Sequence, residues 1–350
     1  MKVWTSPLTA RRLTTADLTG QYTKPADCKV SGFFYGTVVD IGATVLKDNM
    51  IPLTARAYEL GESPFWHPSE QMLYWVDIPG KHLHRCNIFM ASIESWAMPS
   101  EPGCIAPAQS GGLVIALRDG IYRARDWGGA LEKLISATHD TATTRFNDGK
   151  ADPTGRFWVG TMYEPRTTAS AQLFSLNDGA LEPKVSHATI ANGLAWSPDA
   201  QTIYWADTPT HTVRAWDWNA TTNAMSHERV FKQWPRKPED SHFGTTGQQQ
   251  HYGGRPDGAA VDVEGNYYVA MFEGARICKL SPAGVELASI PVPAQCPTMP
   301  CFGGDDLKTL FVTTACYNRS AEELRAYPHS GCVFSMRVDV PGLPVNFYVD

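Results

Sequence analysis

A short apolar strand, a turn rich in Pro, Asp or Gly, and a second apolar strand recur six times along this chain. That recurrence limits the fold more than any other feature. The copies read ESPFWHPSEQMLYWVD from Glu62, CIAPAQSGGLVIAL from Cys104, GKADPTGRFWVGTM from Gly149, GLAWSPDAQTIYWAD from Gly193, GAAVDVEGNYYVAM from Gly258 and MPCFGGDDLKTLFVTT from Met299. Their second strands begin near Leu73, Leu113, Phe157, Ile203, Tyr267 and Leu310, at intervals of 40, 44, 46, 64 and 43 residues. A period in the forties with two central hairpin strands per unit is the pattern of propeller blades. Each blade is a four-stranded sheet that cannot bury its faces alone, so neighbours stack radially. Several copies continue into a third strand ending in a polar turn, as in KHLHRCN, DGIYRAR, HTVRAWDWN and ARICKLSP. The expectation is an all-β, six-bladed β-propeller over residues 53–350.

Long amphipathic helices are hard to find; one short run lies near Ala321-Glu322-Glu323-Leu324. Eleven Trp, thirteen Tyr and 29 Gly favour β-structure, in which aromatics pack well and Gly serves turns. A net charge of −6, with no basic cluster longer than Arg11-Arg12, argues against a nucleic-acid partner. No stretch approaches the roughly 20 apolar residues that span a bilayer, so no membrane partner is expected. The segment from Met1 to Ala10 lacks the apolar core of a signal peptide. The eight Cys include no CxxC pair and read as free thiols of a reducing cytoplasm, although the spacing of Cys296 and Cys301 also admits metal binding.

Two stretches stand outside the repeat. Residues 1–52 form an N-terminal extension whose apolar run, GFFYGTVVDIGATVL, suits either a strand pair packed on the propeller or a poorly ordered segment. The one long interval holds PRKPEDSHFGTTGQQQHYGG, residues 235–254, which reads either as a lid or as a solvated insertion.

Propellers are scaffolds, and the fold alone assigns no function. Loops at the ends of the innermost strands, however, gather around one end of the central channel. Glu62 in LGESPFW, Asn147 in RFNDGK, Asn192 in IANGLAW and Asp257 in RPDGAAV occupy comparable places at or within an inner strand. All four offer oxygen donors suited to a divalent cation such as Ca²⁺, Mg²⁺, Mn²⁺ or Zn²⁺. Asn-Asp-Gly and Pro-Asp-Gly are also ordinary turn formers, so periodicity leaves both readings open.

The segments LGESPFW, RFNDGKADPTGRFWVGTM, ANGLAWSPDAQTIYWAD, RPDGAAVDVEG and PCFGGDDLKTLFVTTA together resemble the successive motifs of the gluconolactonase family, also called regucalcin or senescence marker protein. The likeness runs over about residues 54–345, and the last segment looks most like the bacterial sugar lactonases. The resemblance implies one divalent ion, among Ca²⁺, Zn²⁺, Mn²⁺, Mg²⁺ and Fe²⁺, near the mouth of the channel. Carried over motif by motif, its ligands are Glu62, Asn192 and Asp257. Asn147 and Arg145 match positions that contact substrate oxygens, and Glu164, the nearest acid after the GTM motif, matches a sugar-binding acid. The implied partner is a small-molecule sugar lactone, hydrolysed to the aldonic acid. Asp257 then acts as ligand and general base, or orients a metal-bound water.

Other residues carry competing readings. Lys150 is either an electrophile or an ion-pair partner of Asp148, and Asp207 reads either as a strand-end residue or as one that approaches the channel mouth. No HxxxH spacing appears, which argues against a His-rich zinc site, while His242 and His251 lie in the long interval and either reach a substrate or belong to a solvated insertion. The pairs Trp196 with Trp205 and Trp216 with Trp218 read as blade packing. No GxSxG elbow, P-loop or GxGxxG fingerprint is present. The alternatives to a sugar lactonase are a phosphotriesterase-like or arylesterase-like propeller and a non-catalytic propeller that binds calcium or a ligand.

Overall fold

The computed structural model describes residues 49–90, 92–244 and 252–350. Expectations for residues 1–48, for the tip of the long interval at 245–251 and for His251 lie outside them. The described chain forms six four-stranded antiparallel sheets arranged as the blades of a β-propeller. The second strands begin at Met72, Leu113, Phe157, Thr202, Tyr267 and Thr309, within one residue of the positions read from the repeat.

Burial falls from the axis outward. In blade one, the inner strand Gly61–His67 and the second strand Met72–Asp77 are buried throughout, whereas the outer strand Ser92–Ala97 is almost wholly exposed. The outer strands Glu132–Ser136 and Glu286–Pro291 behave likewise. Only the two axial strands must therefore be apolar in every blade.

Six apolar clusters lie among the described residues, each made by two adjacent blades. That between blades three and four holds Trp158, Trp196 and Trp218, whose rings meet edge to face at 5.8, 5.9 and 6.4 Å. Such aromatic pairs add about 0.5–1.5 kcal/mol each beyond their buried area. The expected Trp pairing is thus corrected. Within blade four Trp196 meets Trp218 and Trp205 meets Trp216 at 6.4 Å, because side chains alternate between the two faces of a sheet. Trp158 of blade three packs on the first pair from across the interface.

The ring closes with strands from both halves of the chain. Ile51 and Pro52 pair with Ser335 and Phe334, so the short strand Ile51–Pro52 forms the outer edge of a sheet whose other three strands come last in sequence. The segment after those strands then crosses the face of the ring. Leu343 N–H donates to Val261 O, Asn346 Nδ2 to Ala151 O, and Tyr348 N–H to Pro107 O. Asp350 ends this strap on Arg123, whose guanidinium is fully buried and donates from Nε to Asp350 Oδ1 at 2.6 Å. No helix among the described residues is long and apolar enough to cross a membrane. The short apolar run read near Leu324 is the helix Ala321–Ala326, capped by Ser320 Oγ accepting from Glu323 N–H at 3.1 Å.

Candidate active site

Each inner strand that carries a candidate residue breaks register at or beside it. The pairing shifts between Glu62 and Phe65, Phe146 and Gly149, Asn192 and Ala195, and Pro256 and Ala259. A bulge of this kind adds a residue to one strand and re-aims its side chains. The residue after Glu62 and the residue after Asn192 both take left-handed backbone, with φ +49° at Ser63 and +65° at Gly193. A Cβ at Gly193 would stand 2.6 Å from the Tyr267 hydroxyl, so Gly is required there by space as well as by conformation. Ser63 meets the cost of the same conformation with a reciprocal tie to the next blade. Its Oγ accepts from Ile105 N–H at 3.0 Å and donates to Ile105 O at 3.3 Å.

A second device holds the chain just upstream. Asp77, at the end of the second strand of blade one, accepts from Glu59 and Leu60 N–H at 3.2 and 3.0 Å. Asp207 does the same in blade four, its Oδ1 accepting from Thr189 and Ile190 N–H at 3.0 Å. The strand-end reading of Asp207 thus holds, and its effect is to fix the approach to Asn192 as Asp77 fixes the approach to Glu62.

Glu62, Arg145, Asn147, Asn192 and Asp257 are all buried. Four residues join blades three, four and five in one chain of hydrogen bonds. Arg145 Nη1 donates to Asn147 Oδ1 at 2.7 Å, and Asn147 Nδ2 donates to Asn192 Oδ1 at 3.0 Å and to Ala191 O at 2.9 Å. Asn192 Nδ2 in turn donates to Thr208 Oγ1 at 2.8 Å, and that hydroxyl donates to Pro256 O, also at 2.8 Å. Because Thr208 spends its hydrogen on Pro256, it can only accept from Asn192, and this fixes which end of the Asn192 amide is oxygen.

Burial, then the charges of Asp257 and Asp148, push the Glu62 carboxyl well above the ordinary range. Asp257 is pushed up by burial and by Asp148. Glu62 accepts only from Ser63 N–H, at 3.3 Å, and neither carboxylate has an ion-pair partner among the described residues. Two desolvated carboxylates and an oriented amide oxygen are donors of the kind that a divalent cation takes. Among the described residues, no three His, Cys, Asp or Glu side chains converge, so the candidate ligands are two carboxylates and an amide.

Glu164 lies at the rim, bound by Arg118 at 2.9 and 3.1 Å and 3.7 Å from Arg145 Nε. The expected Lys150–Asp148 ion pair does not form. Lys150 Nζ donates to Ala259 O, while Asp148 Oδ2 accepts from Leu194 N–H at 2.9 Å and ties blade three to blade four. Sequence reasoning missed Thr208, Ser63 and Asp77 as positioning residues. Asp148 was visible as part of NDG but was read only as a partner for Lys150.

Residues 60–316 match the family model described as SMP-30/Gluconolactonase/LRE-like region. The chain is 41% identical over 288 residues to the 6-deoxy-6-sulfogluconolactonase of Pseudomonas putida, covering 81% of this chain and 92% of that one. It is 34% identical to the regucalcin of Danio rerio, covering 83% and 95%. Among solved structures, the calcium-binding protein regucalcin of Agrobacterium tumefaciens superposes with a TM-score of 0.78 at 25% identity, covering 87% of this chain and 99% of that one. The chain belongs to the SMP-30/gluconolactonase/LRE-like family.

Proposed function

We propose that the chain hydrolyses a sugar aldonolactone, of the gluconolactone or pentonolactone type, to the aldonic acid, with one divalent cation held by Glu62, Asn192 and Asp257. The chain is a lactonase, as relatives named for lactone hydrolysis support. The single observation that carries the site assignment is the hydrogen-bonded run from Arg145 to Pro256. It fixes the direction of the Asn192 oxygen, and Glu62 and Asp257 are buried without cationic partners among the described residues, which supports this ligand set.

When bound, a divalent ion supplies polarisation of the lactone carbonyl and stabilisation of the oxyanion. The protein's own part is positioning and proton transfer. Arg145 is held by Phe146 O at 2.9 Å and by Asn147, while its Nη2 has only the Met162 thioether at 3.2 Å. A thioether is a weak acceptor, so a sugar oxygen can displace it and take a charge-assisted hydrogen bond. Asn147 has both kinds of bond committed, and its part is to lock Arg145 to Asn192. Asp257, whose proton affinity burial raises, accepts the proton of the attacking water. Six buried thiols, Cys86, Cys104, Cys278, Cys296, Cys301 and Cys332, suit a reducing cytoplasm as the place of action.

Acid release measured in a pH-stat on a panel of sugar lactones, after chelation and after adding back each divalent ion, tests this reading. Metal-restored hydrolysis is expected. A folded, metal-loaded protein silent on the whole panel would remove it.

A further inference from the structure

The axis of the ring holds a cavity of about 290 Å³ that lactone hydrolysis does not use. Every inner strand contributes to its lining, from Trp66 in blade one through Ala106, Lys150, Trp196 and Val261 to Phe302 in blade six. These residues stand near the ends of their strands, whereas Glu62, Asn192 and Asp257 stand near the starts. The cavity therefore lies deeper in the channel than the candidate ligands, and residues 343–346 of the strap line it too.

The walls are mostly apolar, and Lys150 is the only charged side chain among the described residues that line them. Lys150 Nζ donates to Ala259 O and so reaches from blade three to blade five, past blade four. That is its one hydrogen bond among the described residues, and it forms no ion pair with any of them. Asp148, the acid nearest in sequence, is held by Leu194 N–H instead. An ammonium offers three hydrogens, so a single carbonyl leaves two unspent in surroundings that disfavour a bare charge. Burial accordingly lowers the proton affinity of this amine. A carboxylate in the cavity would supply both the missing acceptors and the counter-charge. An apolar cavity of about 150 Å³ takes up benzene, so this one has room for a ring or a short chain attached to that carboxylate.

We infer that the axial cavity is a second ligand site, for a small monocarboxylate with an apolar body. The carboxylate pairs with Lys150 Nζ, and the body lies among Phe65, Trp66, Trp196 and Phe302. The site is separate from the one that opens the lactone.

The probes are phenylacetate and hexanoate, one acid with a ring and one with a chain. Each is titrated by calorimetry into the full chain loaded with divalent cation, and again into the chelated protein. Their amides, which lack the charge, and acetate, which lacks the apolar body, serve as comparisons. At least one acid is expected to bind about tenfold more tightly than its amide and than acetate, with or without the cation. Affinity lost on chelation would place the carboxylate on the cation and overturn the site. Binding of neither acid, or equal binding of acid and amide, would overturn it as well. Lys150→Gln, which keeps a donor for Ala259 O, should weaken the acid about tenfold and leave the amide unchanged. Ala260→Leu, which fills the cavity and keeps the charge, should weaken both. An acid affinity that neither substitution changes overturns the site. Should the variants fail to fold, a crystal of the wild-type protein grown with the tighter acid decides. Density beside Lys150 supports the site, and density elsewhere or nowhere overturns it.

Discussion

Asn192 Nδ2 donates to Thr208 Oγ1 at 2.8 Å, and this one bond fixes the direction in which the Asn192 oxygen faces. Thr208 touches no proposed substrate or ion, so its effect on the site runs through Asn192 and through Pro256, the residue before Asp257. Replacing Thr208 by Val removes the acceptor and frees the amide to turn. Divalent-cation affinity is expected to fall about 10–100-fold, the usual scale for losing a group that orients a ligand. Thr208→Ser should retain most of it. Calorimetric titration of the chelated protein reads this, and equal affinities for wild type and Val would separate Thr208 from the site.

Asp257 is expected to be indispensable to turnover. Asp257→Asn keeps the shape but can neither take a proton nor offer a charged oxygen. The lactonase rate measured in a pH-stat should drop at least about 10²-fold, within the range attributed to general acid–base groups. A rate within threefold of wild type would move proton transfer to another residue.

The metal-free protein should lose stability as pH rises. Glu62 and Asp257 have folded-state affinities for protons above those of the unfolded chain. The native state therefore binds more protons than the unfolded one from about pH 4 upward. Their contribution is least unfavourable below the unfolded values and worsens as pH climbs through the raised ones. In the presence of chelator, the difference in melting temperature between Glu62→Gln and wild type should grow in favour of the variant from pH 4.5 to pH 7.5. A difference independent of pH would mean that burial does not hold the Glu62 carboxyl above its ordinary range.

Saturating divalent cation should reverse that trend. A ligand bound only by the folded state adds about 2.7 kcal/mol at a concentration one hundred times its Kd. Cation binding should also release protons and tighten with pH. Thermal unfolding with and without chelator checks the first expectation, and calorimetry in buffers of different ionisation enthalpy checks the second.

The strap across the ring offers a test of stability apart from the site. Arg123 is fully buried and depends on Asp350 for its charge partner, with Leu113 O at 3.2 Å among its other acceptors. Asp350→Ala leaves a buried cation without its counter-charge, which should cost about 3 kcal/mol. A shift in denaturant midpoint would reveal it, whereas an unchanged midpoint would mean that the backbone bonds of Tyr348 and Val349 hold the strap alone.

Much of the architecture was legible because the inner two strands of every blade must be apolar, as in MLYWVD and FWVGTMY. The outer strands, such as Ser92–Ala97, face solvent and carry no pattern to read. Glu62, Asn147, Asn192 and Asp257 could be picked out because they recur at one place in the repeat. Thr208 could not, since its part depends on a bond to Pro256 in the next blade, 48 residues away. Lys150 misled for a related reason: its neighbour in sequence was Asp148, but its partner in space is a carbonyl of blade five.

The pairing of Ile51–Pro52 with Phe334–Arg337 also sets a schedule for biosynthesis. While the ribosome is still making the chain, early blades can stack on one another, yet the arc they form keeps two open apolar flanks. Those flanks vanish only when residue 337 emerges and reaches back to residue 51. Until then the nascent protein is an incomplete ring exposed to misassociation. Repeat stacking alone would let it lengthen blade by blade, but closure makes the final step all-or-none.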